Sequence, residues 1–258
     1  MNGIVLCEGE TDQILLNKYF CNRYGFKYIE DDSKPMTAGK HSCRYERNYG
    51  DVIHISYVGG KDKFPQALEK ILKINRFNVP KTSFDYIAII MDHDSHEEVQ
   101  EMMEKSCQVL QKYGKEIGCS KFGHWKHWEQ EIGFEESKQV YFLLMPIPVR
   151  GEGALETFLL NALSEKRKNS YIVQQSNEFV MHLMGTLNRW KLEGKTEYFP
   201  DGVLKSRRLQ TKAPLAVYFG IVNPERTFAK YEDILNSIDW SKYEKIQTDF
   251  MVFEDMMK

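Results

Sequence analysis

No apolar run in the 258 residues approaches the roughly 20 needed to span a bilayer. The opening Met1-Asn2-Gly3-Ile4-Val5-Leu6-Cys7-Glu8 has neither the basic start nor the long apolar centre of a signal peptide, so the chain reads as cytoplasmic and without a membrane partner. Net charge is also nearly missing. A formal value of −2, with both signs interspersed, gives no global attraction to nucleic acid, and any phosphate contact must be local. The five cysteines (Cys7, Cys21, Cys43, Cys107 and Cys119) are odd in number and form no Cys-x-x-Cys pair. Neither a zinc knuckle nor a disulfide framework is expected, and buried or idle thiols are the better reading. There is no Gly-x-x-x-x-Gly-Lys-Ser/Thr, and Ala38-Gly39-Lys40-His41 lacks both the upstream glycine and the hydroxyl residue, so the chain should not hydrolyse ATP by itself. Internal repeats and low-complexity tracts are absent.

What is present is enough apolar material for a substantial core, 42% hydrophobic and 13% aromatic residues. Ile4 to Cys7 reads as a strand, and the segment from Thr11 to Phe20, with Ile14, Leu15 and Tyr19 near one face, as a helix. The unit recurs: Val52 to Val58 as a strand, Gly59-Gly60 as the turn, and 62 to 74 as a helix carrying Phe64, Leu68, Ile71 and Leu72. Phe84 to Met91 is the most apolar run; a helical pattern from Ser95 to Tyr113 follows, then a strand from Val140 to Met145. Successive strand-helix units predict an α/β fold, a parallel sheet flanked by helices, with functional groups at the strand C-termini. Residues 31–50 read as an irregular insertion within a core of 1–163. Residues 164–258 read as a helical C-terminal extension, with helices at Asn177 to Glu193 and Ala213 to Val222. Gly123-His124-Trp125-Lys126-His127-Trp128 offers two imidazoles, but no second ligand pair at zinc spacing, and reads as an exposed amphipathic loop. Trp125, Trp128 and Trp190 could stack on unpaired bases, but such residues are more often core.

Asp92 and Asp94 stand two apart at the end of an apolar strand. If the extended conformation persists, their carboxylates point to one side, where a single cation could bridge them. Magnesium and manganese favour such oxygen ligands, and Glu8 would supply a third carboxylate from a neighbouring strand end. The competing reading is helix capping. Capping accounts for Asp94, which has Glu97 three residues on, but Ser95 can also cap, and Asp92 then has nothing further to satisfy. Glu8 could simply answer a helix dipole, although Gly9 suits a turn where a phosphate or ion approaches the backbone.

Ile4-Val5-Leu6-Cys7-Glu8-Gly9-Glu10-Thr11-Asp12, followed by Ile89-Ile90-Met91-Asp92-His93-Asp94, resembles the Glu-Gly and Asp-x-Asp signatures of Toprim domains. Gly59-Gly60-Lys61-Asp62 and Gly153-Ala154-Leu155-Glu156-Thr157-Phe158 resemble more particularly the OLD-related branch and its small standalone relatives, over most of residues 3 to 163. The resemblance implies a Toprim, Rossmann-like fold and a metal-dependent nuclease cleaving DNA or RNA with Mg2+ or Mn2+. Glu8 would act as general base or acid or as a ligand, and Asp92 and Asp94 as metal holders. Glu156 is implied as a further acid and, less securely, Lys212 or Lys205 as the downstream lysine. Lys61, Lys205, Arg207 and Arg208 are the candidates for nucleic-acid backbone. OLD proteins fuse this domain to an ATPase, so the resemblance points to a separate ATPase subunit or to independent action, to an antiviral defence role, and is compatible with a homo-oligomer. The alternative is a noncatalytic nucleic-acid-binding or regulatory module of an ATPase-containing complex.

Overall fold

The computed structural model describes residues 1–30, 41–47, 50–77, 83–114, 122–132, 136–195, 197, 202–226 and 231–258. Its centre is a seven-stranded sheet in the order β2-β3-β4-β1-β5-β7-β6, comprising β1 (Asn2–Cys7), β2 (Lys27–Ile29), β3 (His41–Arg47), β4 (Asp51–Tyr57), β5 (Tyr86–Asp92), β6 (Lys126–Ile132) and β7 (Glu136–Ile147). The four middle strands β4, β1, β5 and β7 are mutually parallel, as the recurring strand-helix units predict. The edges are not. β2 and β3 add antiparallel beside β4, and β6 adds antiparallel beside β7, so the fully parallel sheet of the sequence reading is corrected to a parallel centre with antiparallel margins.

Both edge additions have a physical reason for having escaped notice. β3 lies in the stretch read as irregular, and its His-Ser-Cys-Arg-Tyr-Glu-Arg buries only Tyr45, as befits a strand kept polar near an edge. β6 takes Lys126, His127 and Trp128 out of the expected loop. Trp128, Gln130 and Ile132 face inward alternately, but the inward Gln130 breaks the apolar pattern. That amide is satisfied within the core: Gln130 Nε2 donates to the Leu72 carbonyl at 2.7 Å, and Asn75 Nδ2 donates to Gln130 Oε1 at 3.0 Å.

Strand alternation divides the interior into two cores. Val5, Cys7, Ala88, Ile90, Leu143 and Met145 face one side; Ile4, Leu6, Ile87, Ile89, Phe142 and Leu144 face the other. The second side is covered by α2 (Phe64–Arg76) and α3 (His96–Gln111). The first is covered by α1 (Glu10–Tyr24), α4 (Leu155–Leu163) and residues of the C-terminal part. That part holds α5 (Arg167–Leu192), α6 (Arg207–Val222), α7 (Tyr231–Asn236) and α8 (Glu244–Phe250). The expected extension is helical, but its Trp240, Ile246, Phe250, Phe253 and Met256 lie in the same core as the strands and do not form a separate cluster. α5 starts ten residues before the expected Asn177, through a polar first half in which Ser176 and Asn177 bond to carbonyls one turn back. α6 begins at Arg207, six residues before the expected Ala213, and runs on through Pro214. Cys107 is disulfide-bonded, which corrects the reading of all five cysteines as idle thiols.

Gly114 follows α3 and bridges to Gln130 on β6. A Cβ there would stand 2.2 Å from the Glu129 carbonyl oxygen and 2.7 Å from the Trp128 ring, and the backbone atom cannot yield as a flexible side chain would. Gly114→Ala should cost about 1–3 kcal/mol, read as a lower urea midpoint with an unchanged slope.

Candidate functional site

Because β4, β1, β5 and β7 run side by side in parallel, their C-terminal ends open along one edge of the sheet. Glu8 and Gly9 follow β1, Gly59 and Gly60 follow β4, Asp92 and Asp94 close β5, and Ala154 to Glu156 follow β7. All of them line one cleft of about 660 Å3, together with Asp12 from α1, Glu98 from α3, and Arg207, Thr211 and Lys212 from α6. The loop after β4 is tied over β1: the Gly59 and Gly60 N–H groups donate to the Glu8 carbonyl at 2.9 and 3.3 Å. Gly59 and Gly60 both have positive φ, 82° and 133°, and a Cβ on Gly60 would also meet Asp62 Oδ1 at 2.8 Å.

The pair at the end of β5 behaves as strand alternation requires. Asp92 and Asp94 line the cleft, while the buried His93 between them places Nδ1 3.0 Å from the Pro148 carbonyl and its ring against Phe122. Capping divides differently from the expectation. Ser95 caps α3, its Oγ accepting from the Glu98 N–H at 3.2 Å, which releases Asp94 from that duty. Asp92 does have a backbone partner: its Oδ1 accepts the Leu155 N–H at 2.9 Å, in the first turn of α4, whose own preceding residue, Ala154, offers no side-chain cap. Contrary to the expectation from sequence, Asp92 therefore does have a group to satisfy. It caps a helix 63 residues away in sequence, a partner that local spacing cannot show.

That single hydrogen bond does not neutralise the site. Burial, then the negative charge of Glu8, then that of Glu156 and Asp94 push the Asp92 carboxyl up to about 7, against the pull of the Leu155 N–H. Asp12 was not singled out as a site residue from sequence. It is buried, accepts the Gly9 N–H at 2.8 Å, and is raised well above the carboxylate range by burial and then by the charge of Asp92, with Glu8 and Glu156 adding to it. Its place in the first turn of α1, four residues after Glu8 and just beyond the Gly9 cap, was the available signal. The Cys7 thiol beneath is pushed up by burial and then by Asp12, which leaves it protonated and inert.

Cations answer part of this charge from two sides. Lys61 Nζ donates to Asp94 Oδ2 and to Glu98 Oε2, the latter at 2.9 Å. Burial alone would lower the Lys61 ammonium, but these hydrogen bonds hold it above its usual value. Lys212 Nζ donates to Glu156 Oε1, a carboxylate that is only 3% exposed. Arg207 Nη2 donates to the Asp94 carbonyl at 3.0 Å, which anchors the start of α6 on the end of β5. Of the basic residues expected from sequence, Arg207 and Lys212 line the cleft and Lys61 reaches it through Asp94, whereas Lys205 is exposed and is not among the lining residues. The Arg208 side chain lies outside the described residues. Of the two lysines, Lys212 is the one that stands at the cleft.

Among the described residues, no three His, Cys, Asp or Glu side chains stand arranged to hold a metal ion. Asp94 and Glu156 are turned onto lysines, and Asp92 gives one oxygen to α4. The donor chemistry nonetheless suits a hard cation. The cleft is lined by carboxylate oxygens, and two of those acids, Asp12 and Asp92, are held above their normal range by burial and mutual repulsion that a divalent charge would relieve. His124 and His127 are not among the cleft residues.

No helix among the described residues is long and apolar enough to cross a membrane. No curated protein matches the sequence. Among solved structures, the crystal structure of a hypothetical protein, PH0156 from Pyrococcus horikoshii OT3, is similar over 100% of this chain and 99% of that one, at a TM-score of 0.50 and 14% identity, which supports the α/β fold alone. The family model described as a protein of unknown function (DUF3226) matches residues 2–197, and the chain belongs to that family.

Proposed function

We propose that this protein is a nuclease of the Toprim class, a divalent-cation-dependent phosphodiester hydrolase acting on DNA or RNA. The observation that carries the reading is the convergence of Glu8, Asp12, Asp92, Asp94 and Glu156 with Arg207 and Lys212 in one cleft at the C-terminal edge of the parallel strands. Seven carboxylates line this one site, Glu10 and Glu98 with the five above, and leave a folded chain with repulsion it could avoid by simpler residues; function is the usual reason for such a concentration. The Glu-Gly and Asp-x-Asp resemblance adds to this.

Glu8, Asp92 and Asp94 would hold Mg2+ or Mn2+, with Glu156 and Asp12 beside them; when bound, such an ion lowers the pKa of an attacking water and offsets charge on the phosphate. The chain's own groups divide the remaining work. Glu8 takes a proton from that water or returns one to the leaving oxygen. Lys212 and Arg207, from α6, hold the phosphate oxygens, Arg207 being fixed in orientation by its bond to the Asp94 carbonyl. Lys61, which donates to Asp94, would be free to contact the substrate backbone were Asp94 to hold the ion. A cytoplasmic setting, a separate ATPase subunit as trigger, assembly with further copies, and a role in antiviral defence extend the same proposal. The pairing of both Asp94 and Glu156 with lysines favours one other reading, a noncatalytic nucleic-acid-binding module whose acids are structural.

The deciding experiment incubates the full chain with plasmid, single-stranded DNA and tRNA in Mg2+, Mn2+ or EDTA, beside Glu8→Gln. Products should form only with metal, and the variant should lose about a hundredfold in rate. If wild type cleaves none of these, with or without an ATPase partner, the binding-module reading replaces this one.

A further inference from the structure

A second cavity, of about 300 Å3, lies among α4, α5 and α6 and shares Arg207 and Thr211 with the acidic cleft. We infer that it is a nucleobase subsite: the strand crosses at Arg207, and the base next to the cleaved phosphate enters the second cavity, so that the substrate is unpaired there. This deepens the phosphodiesterase reading above and rests on it.

The two cavities differ in chemistry. The cleft is crowded with carboxylates, whereas among the described residues the lining of the second contains none, and its one charged group is Arg207 at the junction. A phosphate is repelled by the first unless cations intervene, so the junction, with Arg207 bonded to the Asp94 carbonyl, is where the backbone finds a fixed positive group. Beyond it the lining is made of neutral amides, the Thr157 and Thr211 side chains and apolar groups, including Met184 and Pro214. That mixture suits a flat heterocycle, which needs an apolar wall and a few fixed polar atoms.

The amides are held in position. Asn177 Nδ2 donates to the Val173 carbonyl at 3.1 Å, and Gln210 Nε2 to the Leu204 carbonyl at 2.8 Å. Each amide is thereby held in orientation and keeps its oxygen as an acceptor and one N–H as a donor. Pro214 has no N–H, so α6 forgoes the helical hydrogen bond onto the Gln210 carbonyl, and its ring contributes apolar wall. A cavity lined by fixed amides and hydroxyls, with both acceptors and donors and with no carboxylate among the described residues, is matched to a base that carries an exocyclic amino group beside a ring acceptor, as adenine does. In a duplex that group is already paired and the base stacked, so the subsite admits an unpaired nucleotide.

The test measures binding of fluorescein-labelled short oligonucleotides to the full chain by anisotropy in Ca2+, comparing a single strand carrying adenine with the same strand abasic at one position. Wild type should bind the adenine strand about tenfold more tightly. Met184→Trp, which fills the cavity, and Asn177→Leu, which removes an acceptor at similar volume, should each abolish that preference. Binding of the abasic strand and the thermal midpoint should stay unchanged. Equal affinity of wild type for both strands, or a preference that survives in both folded variants, overturns the subsite while leaving the phosphodiesterase reading in place. If wild type binds neither strand, the phosphodiesterase reading fails and the subsite with it.

Discussion

Asp92→Asn should abolish metal-dependent cleavage, by a thousandfold or more at the order-of-magnitude level expected for a group that acts on developing charge, and should stabilise the metal-free protein at pH 8. The second half follows from the site's electrostatics. The Asp92 carboxyl is raised from 3.8 to about 7 by burial and then by Glu8, Glu156 and Asp94, so between those values the folded protein holds a proton that the unfolded chain has lost. Stability therefore falls as pH rises through that window and is lowest above it; Asp12, also raised, acts with the same sign. Asparagine keeps an oxygen for the Leu155 N–H and carries no charge to repel its neighbours. The gain at pH 8 should be roughly 2 kcal/mol, a rise of about 5 °C in melting temperature, shrinking toward zero near pH 4. Mg2+ should raise the wild-type midpoint at pH 8 and leave the variant's nearly unmoved, because only a folded state that binds the ion gains from it. Melting curves at two pH values with and without Mg2+ read all of this. A variant less stable than wild type at pH 8 would assign Asp92 to helix capping alone.

Which parts of this site could be read from the chain depended on how local their cause was. The middle strands announce themselves as apolar runs, and the placing of Glu8, Asp92 and Asp94 at their C-terminal ends follows from parallel topology. Arg207 and Lys212 reach the cleft because α6 begins against the end of β5, a tertiary fact visible in the contact of Arg207 with the Asp94 carbonyl and in no spacing. The same holds for Asp92 and its helix cap on α4. β3 and β6 were illegible for a different reason: β3 lies next to the edge and β6 at it, where strands are kept polar, and β6 turns Gln130 inward because Asn75 and the Leu72 carbonyl await it there. Asp12 stood in plain view, but the capping geometry that a helix start explains equally well concealed its part in the acid cluster.

Phe250→Ala should destabilise the protein by about 3–5 kcal/mol, lowering the melting temperature by roughly 10 °C. The ring ends α8, far along the chain from the strands, yet it is fully buried and packs edge-on against Tyr19 of α1 at 4.8 Å, beside Phe158 of α4 at 5.7 Å and Phe253 at 5.8 Å. Removing it leaves a cavity shared by three parts of the chain that cannot all collapse at once. α1 carries Asp12 and α4 carries Glu156, so the packing that the C-terminal helices supply also sets the two helices that bring acids to the cleft. The loss should appear as one cooperative transition by far-ultraviolet circular dichroism and by tryptophan fluorescence alike. Two transitions, with the sheet melting at its wild-type temperature, would mean that the C-terminal helices fold apart from the core. A single shifted transition makes them the cover without which that face of the sheet, and the cleft at its edge, does not persist.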